Sequence, residues 1–202
     1  MNERSSWQVT THDWGTDVDL EHLGAVRELL SHGDSAGGRR HLILEVLAYA
    51  NEEAEHLGRV GTTTVTYHPD GGVTVADDGR GTDTRTDSKG RVIRKPVMAT
   101  ADVRFRDEAT APVLPDGLPR RGMSTVAALS RELTHQNHRH RGSWSQTYRY
   151  GIPDDELAAI DPRATSGTSV TFTAQLSGPA DLTDTDLQGF PWLTVTQTQG
   201  TS

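Results

Sequence analysis

The chain has 202 residues, 33% of them apolar, and no cysteine. That length suits one substantial domain and leaves little room for a second, and the missing cysteines exclude disulfides, thiolate metal sites and cysteine nucleophiles. A formal net charge of -8 disfavours a general nucleic-acid binder, whose phosphate contacts need a basic face, so DNA binding by this chain alone is not expected. The first residues, MNERSSWQVTTHDW, lack a basic segment followed by an apolar core, and no run approaches the ~20 apolar residues of a membrane span. The expectation is a cytoplasmic protein with no membrane partner.

Residues 1–18 form a polar arm with Trp7 and Trp14 as isolated anchors, suited either to disorder or to lying across a neighbour. Leu20, Leu23, Val26, Leu29 and Leu30 then recur at helical spacing, with Asp17 or Asp19 as a cap. Gly33, Gly37 and Gly38 break the pattern. A longer helix is predicted over 39–57, burying Leu42, Ile43, Val46, Leu47, Ala50 and Ala54. Glu45 lies inside it between Leu44 and Val46, with Tyr49 and Glu52 within about 40° of it and Glu53 about 80° round. Either this is an acidic face turned to water, or the carboxylate is held for a purpose, because an unpaired buried charge is costly.

After Gly58 the hydrophobic period changes. Residues 60–67 are rich in branched side chains, 68–72 (HPDGG) read as a turn, and 73–75 begin a return strand. This hairpin delivers Asp77 to a strand end within VADDGRG (75–81). There Gly79 and Gly81 let the backbone turn sharply and present one fixed acceptor to a ligand donor. The same residues also suit an acidic surface turn.

The succession of a helix with an inner carboxylate, a hairpin and DDGRG resembles the N-terminal ATPase domain of the DNA gyrase B subunit, in the type II topoisomerase branch of the GHKL nucleotide-binding fold. LGAVRELL (23–30) is similar to the helix that precedes the ATP site in that family, HLILEVLAYANEEAEHLG (41–58) to its catalytic helix, and VTYHPDGGVTVADDGRG (65–81) to its hairpin and adenine motif. GLPRRGMSTVAALSREL (117–133) is similar to the glycine-rich loop and following helix, and GSWSQTYRYG (142–151) and GTSVTF (167–172) to the last strands. The resemblance implies an α+β fold, a two-layer α/β sandwich of the GHKL/Bergerat type with a mixed, largely antiparallel sheet backed by helices. It implies an ATP-binding domain over 19–176, a degenerate lid at about 82–116, and a C-terminal extension, 177–202, folding back around Trp192 before an unstructured end.

Residue by residue, the resemblance makes Glu45 the general base that polarises the attacking water. Asp77 becomes the acceptor from the adenine amino group, with Gly79 among the nucleotide-binding residues, Gly81 beneath the base and Thr168 sharing a water with adenine and Asp77. Arg80 and Glu53 match a salt-bridged pair at the pocket mouth, and Arg139 an arginine at its outer edge. The phosphate half departs from the family. Tyr49 replaces the Asn that ligates Mg²⁺, and a phenol is a poor ligand for that ion; Ala48 replaces the preceding Asp, and Asn51 points about 240° round the helix. Tyr49 either fills the space of the magnesium and triphosphate or packs into the core.

The family's G-L-H-G-V-G reads Gly117-Leu118-Pro119-Arg120-Arg121-Gly122 here. Pro119 has no N–H and Arg120 stands where a glycine would allow close approach. Arg120 and Arg121 either meet phosphate through their side chains or are ordinary surface residues. Thr82 and Asp83 replace an Ile-Pro wall of the pocket, and Pro96 allows a short helix or an extended run. Arg120, Arg121, Arg131, Arg139, Arg141, His135, His138 and His140 against the single acid Glu132 suggest a local basic patch. His138 and His140 alternate as on one strand face, but no third metal ligand is indicated, so no metal site is assigned.

The resulting expectation is a gyrase B-like pseudoenzyme that binds ATP or ADP weakly, without an organised Mg²⁺, and hydrolyses slowly or not at all. It is not a complete topoisomerase, because the chain ends before the family's transducer and cleavage domains. Two alternatives stay open: an active ATPase component of a type II topoisomerase-like system, with Glu45 or Glu52 ligating the cation, and a nucleotide-independent interaction protein that homodimerises through the arm.

Overall fold

A computed structural model of the protein describes residues 18–29, 37–81, 85–86, 92–93, 111–139, 142–154 and 158–201. Trp7, Trp14, Leu30, Thr82, Asp83, Pro96, His140 and Arg141 lie outside these residues, as does most of the expected lid.

Helix α1 (Leu20–Glu28) starts where Asp19 Oδ1 accepts the His22 N–H at 2.9 Å, a side-chain cap on an otherwise orphaned donor. Leu23 and Val26 are buried, but Leu20 is 67% exposed. The inward place in the first turn belongs to His22, whose Nε2 meets Ser124 Oγ at 2.8 Å, so the buried face is rotated from the one the leucine spacing predicts. Helix α2 (Gly38–Leu57) ends at Gly58, in the left-handed conformation that glycine favours at a helix terminus. All the side chains predicted to be buried on α2 are buried, and so are His41, Leu44, Glu45 and Ala48. Its first half is therefore covered on nearly every side rather than amphipathic.

Strands β1 (Gly61–Tyr67) and β2 (Val73–Asp77) form the antiparallel hairpin. Beyond the short pair β3 (Arg85–Thr86) and β4 (Val92–Ile93), helix α3 spans Met123–Ala128 and packs against α1 and α2. The helix expected to continue to 133 stops there. The Ser130 hydroxyl donates to Val126 O at 2.7 Å, and the chain turns into β5 (Ser130–His138) because Leu133, His135 and Asn137 alternate inward. Next come β6 (Trp144–Arg149), β7 (Ile152–Pro153), β8 (Ala158–Ala159) and β9 (Gly167–Ala174).

The end of the chain departs most from expectation. Residues 184–188 form helix α4 (Asp184–Gln188), closed by a capping box between Thr183 and Asp186, and strand β10 (Leu193–Gln199) pairs in parallel with β1 along its whole length. The expected unstructured end is a sheet edge. Arg40 on α2 fixes this segment through a two-pronged bond to the buried Asp186, at 2.5 and 2.9 Å.

The strands make one 8-stranded sheet, ordered β10-β1-β2-β9-β5-β6-β7 with β8 on β6. It is mixed and largely antiparallel, with only β1 and β10 paired in parallel. Val65, Val75 and Val170 face the helices in one registered row, and Val73, Phe172, Leu133 and Tyr148 in the next. On the opposite face Thr198, Thr66, Thr74, Thr171, Thr134 and Thr147 stand side by side across adjacent strands. Their hydroxyls bond in pairs at 2.8–3.1 Å, a cross-strand ladder that suits a solvated sheet face. No helix among the described residues is long and apolar enough to cross a membrane.

Candidate functional site

The apolar rows of the sheet give way at one end to polar residues. Thr63, Asp77, Thr168 and Asn137 follow one another across β1, β2, β9 and β5 on the helix side of the sheet. Asp77, the last residue of β2, accepts the Thr168 hydroxyl on Oδ2, the Gly79 N–H on Oδ1 at 2.8 Å and the Thr168 N–H on Oδ1 at 3.3 Å. Burial pushes its carboxyl above the ordinary carboxylate value, and the hydrogen bonds offset this only in part. Two glycines allow the arrangement. A Cβ on Gly167 would collide with the Asp77 carbonyl, and Gly81, at φ 73°, has the Asn137 amide oxygen 2.6 Å from where its Cβ would sit. Arg80 reaches back to α2 and grips Glu53 with two bonds, at 2.6 and 3.3 Å.

The second Asp of DDGRG has a different task. Asp78 accepts the Thr62 N–H at 2.8 Å and takes Arg59 at 3.2 Å, which ties the turn to the start of β1. Arg139 stands beside Gly81, its Cγ 3.2 Å from where a Cβ on that glycine would sit, and its N–H donates to Ser143 Oγ at 3.0 Å. The residues expected around the base, Asp77, Gly79, Gly81, Thr168, Arg80, Glu53 and Arg139, therefore lie close together.

Eight residues separate Glu45 from Glu53, about 12 Å along α2, and at Glu45 the helix meets the 117–122 loop. Glu45 is fully buried. Its Oε1 accepts the Arg121 N–H at 2.5 Å and its Oε2 the Gly122 N–H at 2.9 Å. On its other side His41 Nε2 lies 3.4 Å away, and His41 Nδ1 bonds Asp116 Oδ2 at 2.8 Å. Glu45 thus holds the loop, rather than forming part of an acidic face turned to water.

Arg120 and Arg121 are both buried, so neither is an ordinary surface residue. The Arg120 guanidinium pairs with both oxygens of Glu52, one at 3.0 Å, and its Nε lies 3.9 Å from Glu45 Oε2. Among the described residues of the expected basic patch, Arg120, Arg121, His135 and His138 are buried rather than on one surface. His135 points into the core against Trp144, with ring centroids 5.0 Å apart, and burial pushes it down to about 4. Burial also lowers His138, with Arg163 adding to the effect. Tyr49 is half-buried and packs against the hydrophobic core. Asn51 is committed elsewhere, its side-chain oxygen accepting the Trp192 N–H at 3.0 Å.

Sequence reasoning missed His41, Asp116 and the pairing of Arg120 with Glu52. His41 lies one helical turn before Glu45, a spacing visible in the sequence; Asp116 is 75 residues from His41 and only the fold brings it there. Burial alone would push the His41 imidazole down, but the Asp116 and Glu45 carboxylates outweigh it and hold it above its ordinary 6.5. Burial would raise Asp116, but the bond from His41 leads the opposing effects and holds it below 3.8. A raised imidazole stabilises fully below its unfolded value and loses that contribution as pH rises through the folded one. A depressed carboxyl stabilises fully above its unfolded value and loses it as pH falls. The pair therefore contributes most between pH 3.8 and 6.5. Thermal unfolding across pH should show Asp116→Asn less stable than wild type by about 2 kcal/mol in that window, with the gap narrowing above it. A gap independent of pH would show that the pair does not titrate in this way.

The fold thus sets a buried carboxylate, with a loop seated on it, on the same long helix whose Glu53 meets Arg80 of DDGRG, and beside DDGRG a strand-end Asp bonded to a Thr of a neighbouring strand. The chain is similar to part of the B subunit of DNA gyrase. It is 33% identical to that of Streptomyces coelicolor over 168 residues, 81% of this chain and 24% of the relative. With the Mycobacterium tuberculosis H37Rv protein the identity is 35% over 158 residues, 77% of this chain and 23% of the relative. With that of Haloferax volcanii it is 29% over 161 residues, 76% and 25%. The chain thus spans about a quarter of the length of the relatives it matches. No protein-family model matches it.

Proposed function

We propose that this chain is a gyrase B-like domain that holds an adenine nucleotide, ATP or ADP, weakly at its Asp77 end and hydrolyses it slowly or not at all. The observation that carries this reading is the carboxylate of Asp77, fixed at the end of its strand by Thr168 and Gly79. A fixed acceptor at a strand end suits the amino group of an adenine. Arg80, Glu53 and Arg139 border the same end.

At the other end the chemistry is weaker. Glu45, the expected general base, has each oxygen engaged by a backbone N–H of the loop, so an attacking water would share it with those donors. Tyr49 stands one turn on, where a small oxygen ligand would be needed to organise Mg²⁺ for phosphoryl transfer. The likeness to gyrase supports a nucleotide as the ligand, and the carboxylate contacts support slow turnover.

Calorimetric titration with ADP and a non-hydrolysable ATP analogue, with and without Mg²⁺, tests the reading. The expected result is binding at about 100 µM or weaker, worth about 5 kcal/mol, and unchanged by the metal. Tight, magnesium-dependent binding of the triphosphate would contradict it.

A further inference from the structure

The hydrogen bonds of the 117–122 loop specify the ligand more narrowly. The Gly117 N–H donates to Leu114 O at 2.8 Å, Leu118 to Asp116 Oδ1 at 3.2 Å and Arg120 to Pro112 O at 2.8 Å. Pro119 has no N–H, and the Arg121 and Gly122 donors go to Glu45. Every backbone donor of the loop is thus bonded within the chain. A loop that cradles phosphate must point such donors at the ligand.

The side chains repeat the pattern. Among the described residues Arg120 is a cation at this end, and its fork is taken by Glu52 with Glu45 nearby. A triphosphate reaching past the base would have to break the ion pair, strip the loop donors from Glu45 and lie beside Glu45, Glu52 and Asp116. Like charges at that distance repel, the more so where water is scarce. The carboxylates of the chain already occupy the part that phosphates would play. The Asp77 end places no such demand, since a neutral base needs only an acceptor and room.

We infer that the site takes an uncharged adenine nucleoside, adenosine, in preference to the triphosphate, with the Glu45-bonded loop and the Arg120–Glu52 pair closing the phosphate end. This rests on the reading of Asp77 as an adenine acceptor. Glu52 acts here as a specificity residue, through Arg120 rather than by touching the ligand.

The test is calorimetric titration of the full chain with adenosine and with ATP, each with and without Mg²⁺, for wild type and Glu52→Gln. Glu52 is 44% exposed, so the variant keeps the fold while removing the charge that holds Arg120. Wild type should bind adenosine about tenfold more tightly than ATP, and E52Q should raise ATP affinity about tenfold while changing adenosine less than about twofold. If wild type binds ATP as tightly as adenosine or more so, the inference fails and the adenine site stands. If neither compound binds, both fall together. If wild type prefers adenosine but E52Q leaves ATP affinity unchanged, the Arg120–Glu52 pair is not what excludes phosphate, and that assignment is overturned.

Discussion

Replacing Glu45 with alanine is expected to lower the stability of the protein by about 3–5 kcal/mol, on the order of 10 °C in Tm for a chain of this size. The carboxylate is fully buried and accepts two backbone donors from the loop. Its loss leaves both unsatisfied and takes a counter-charge from His41 and Arg120. Glu45→Gln keeps the shape but turns an NH₂ group toward one of the two N–H donors, so it should cost less, about 1–3 kcal/mol. Thermal unfolding at neutral pH measures both. A catalytic base with no structural duty would give the opposite pattern, with turnover lost and Tm unmoved, and an E45A melt within about 2 °C of wild type would favour that view.

Asp77→Ala should abolish measurable binding of adenine compounds, a loss of about 10- to 100-fold from an affinity that is already low. On the proposed reading Asp77 is the acceptor for the base, and its removal also strands the Thr168 hydroxyl and the Gly79 N–H. The same variant should therefore melt earlier, by about 1–3 kcal/mol. Thr168→Val removes one donor to Asp77 and keeps the carboxylate, so it should weaken binding by about tenfold or less. Titration with ADP distinguishes the two, and D77A binding ADP as wild type does would remove Asp77 from the site.

How much of this was legible in the sequence depends on where the deciding contacts lie. The hairpin and DDGRG could be read because their signals are local: two-residue alternation, a Pro-Asp-Gly-Gly turn, and an acid at a strand end. The apolar spacing of α2 likewise set its bounds to within a residue. Strand β10 was missed because Leu193 and Val195 are its only apolar residues, and its parallel partner β1 begins at Gly61. The stretch VAALSREL reads as continuous helix until its inward residues are seen to pair with β9. At the site, the replacement of a glycine by Arg120 was visible, but a positive charge in sequence does not say which acid it meets. Only the packing of the loop on α2 shows that Glu52 and Glu45 already hold it. The six-threonine row across the exposed sheet face was likewise scattered over the chain, and register alone assembled it.

On the proposed reading, the Asp77 end of the site takes an adenine compound while the loop end is held shut by Glu45. Backbone amide shifts of the ¹⁵N-labelled protein, followed through a titration with ADP and Mg²⁺, address both halves in one measurement. The expected result is shifts at Gly79, Gly81 and Thr168, with the Arg121 and Gly122 amides, bonded to the Glu45 carboxylate, staying where they are. Large shifts at Arg121 and Gly122 as ADP is added would show that the loop gives up Glu45 for phosphate, and would contradict it.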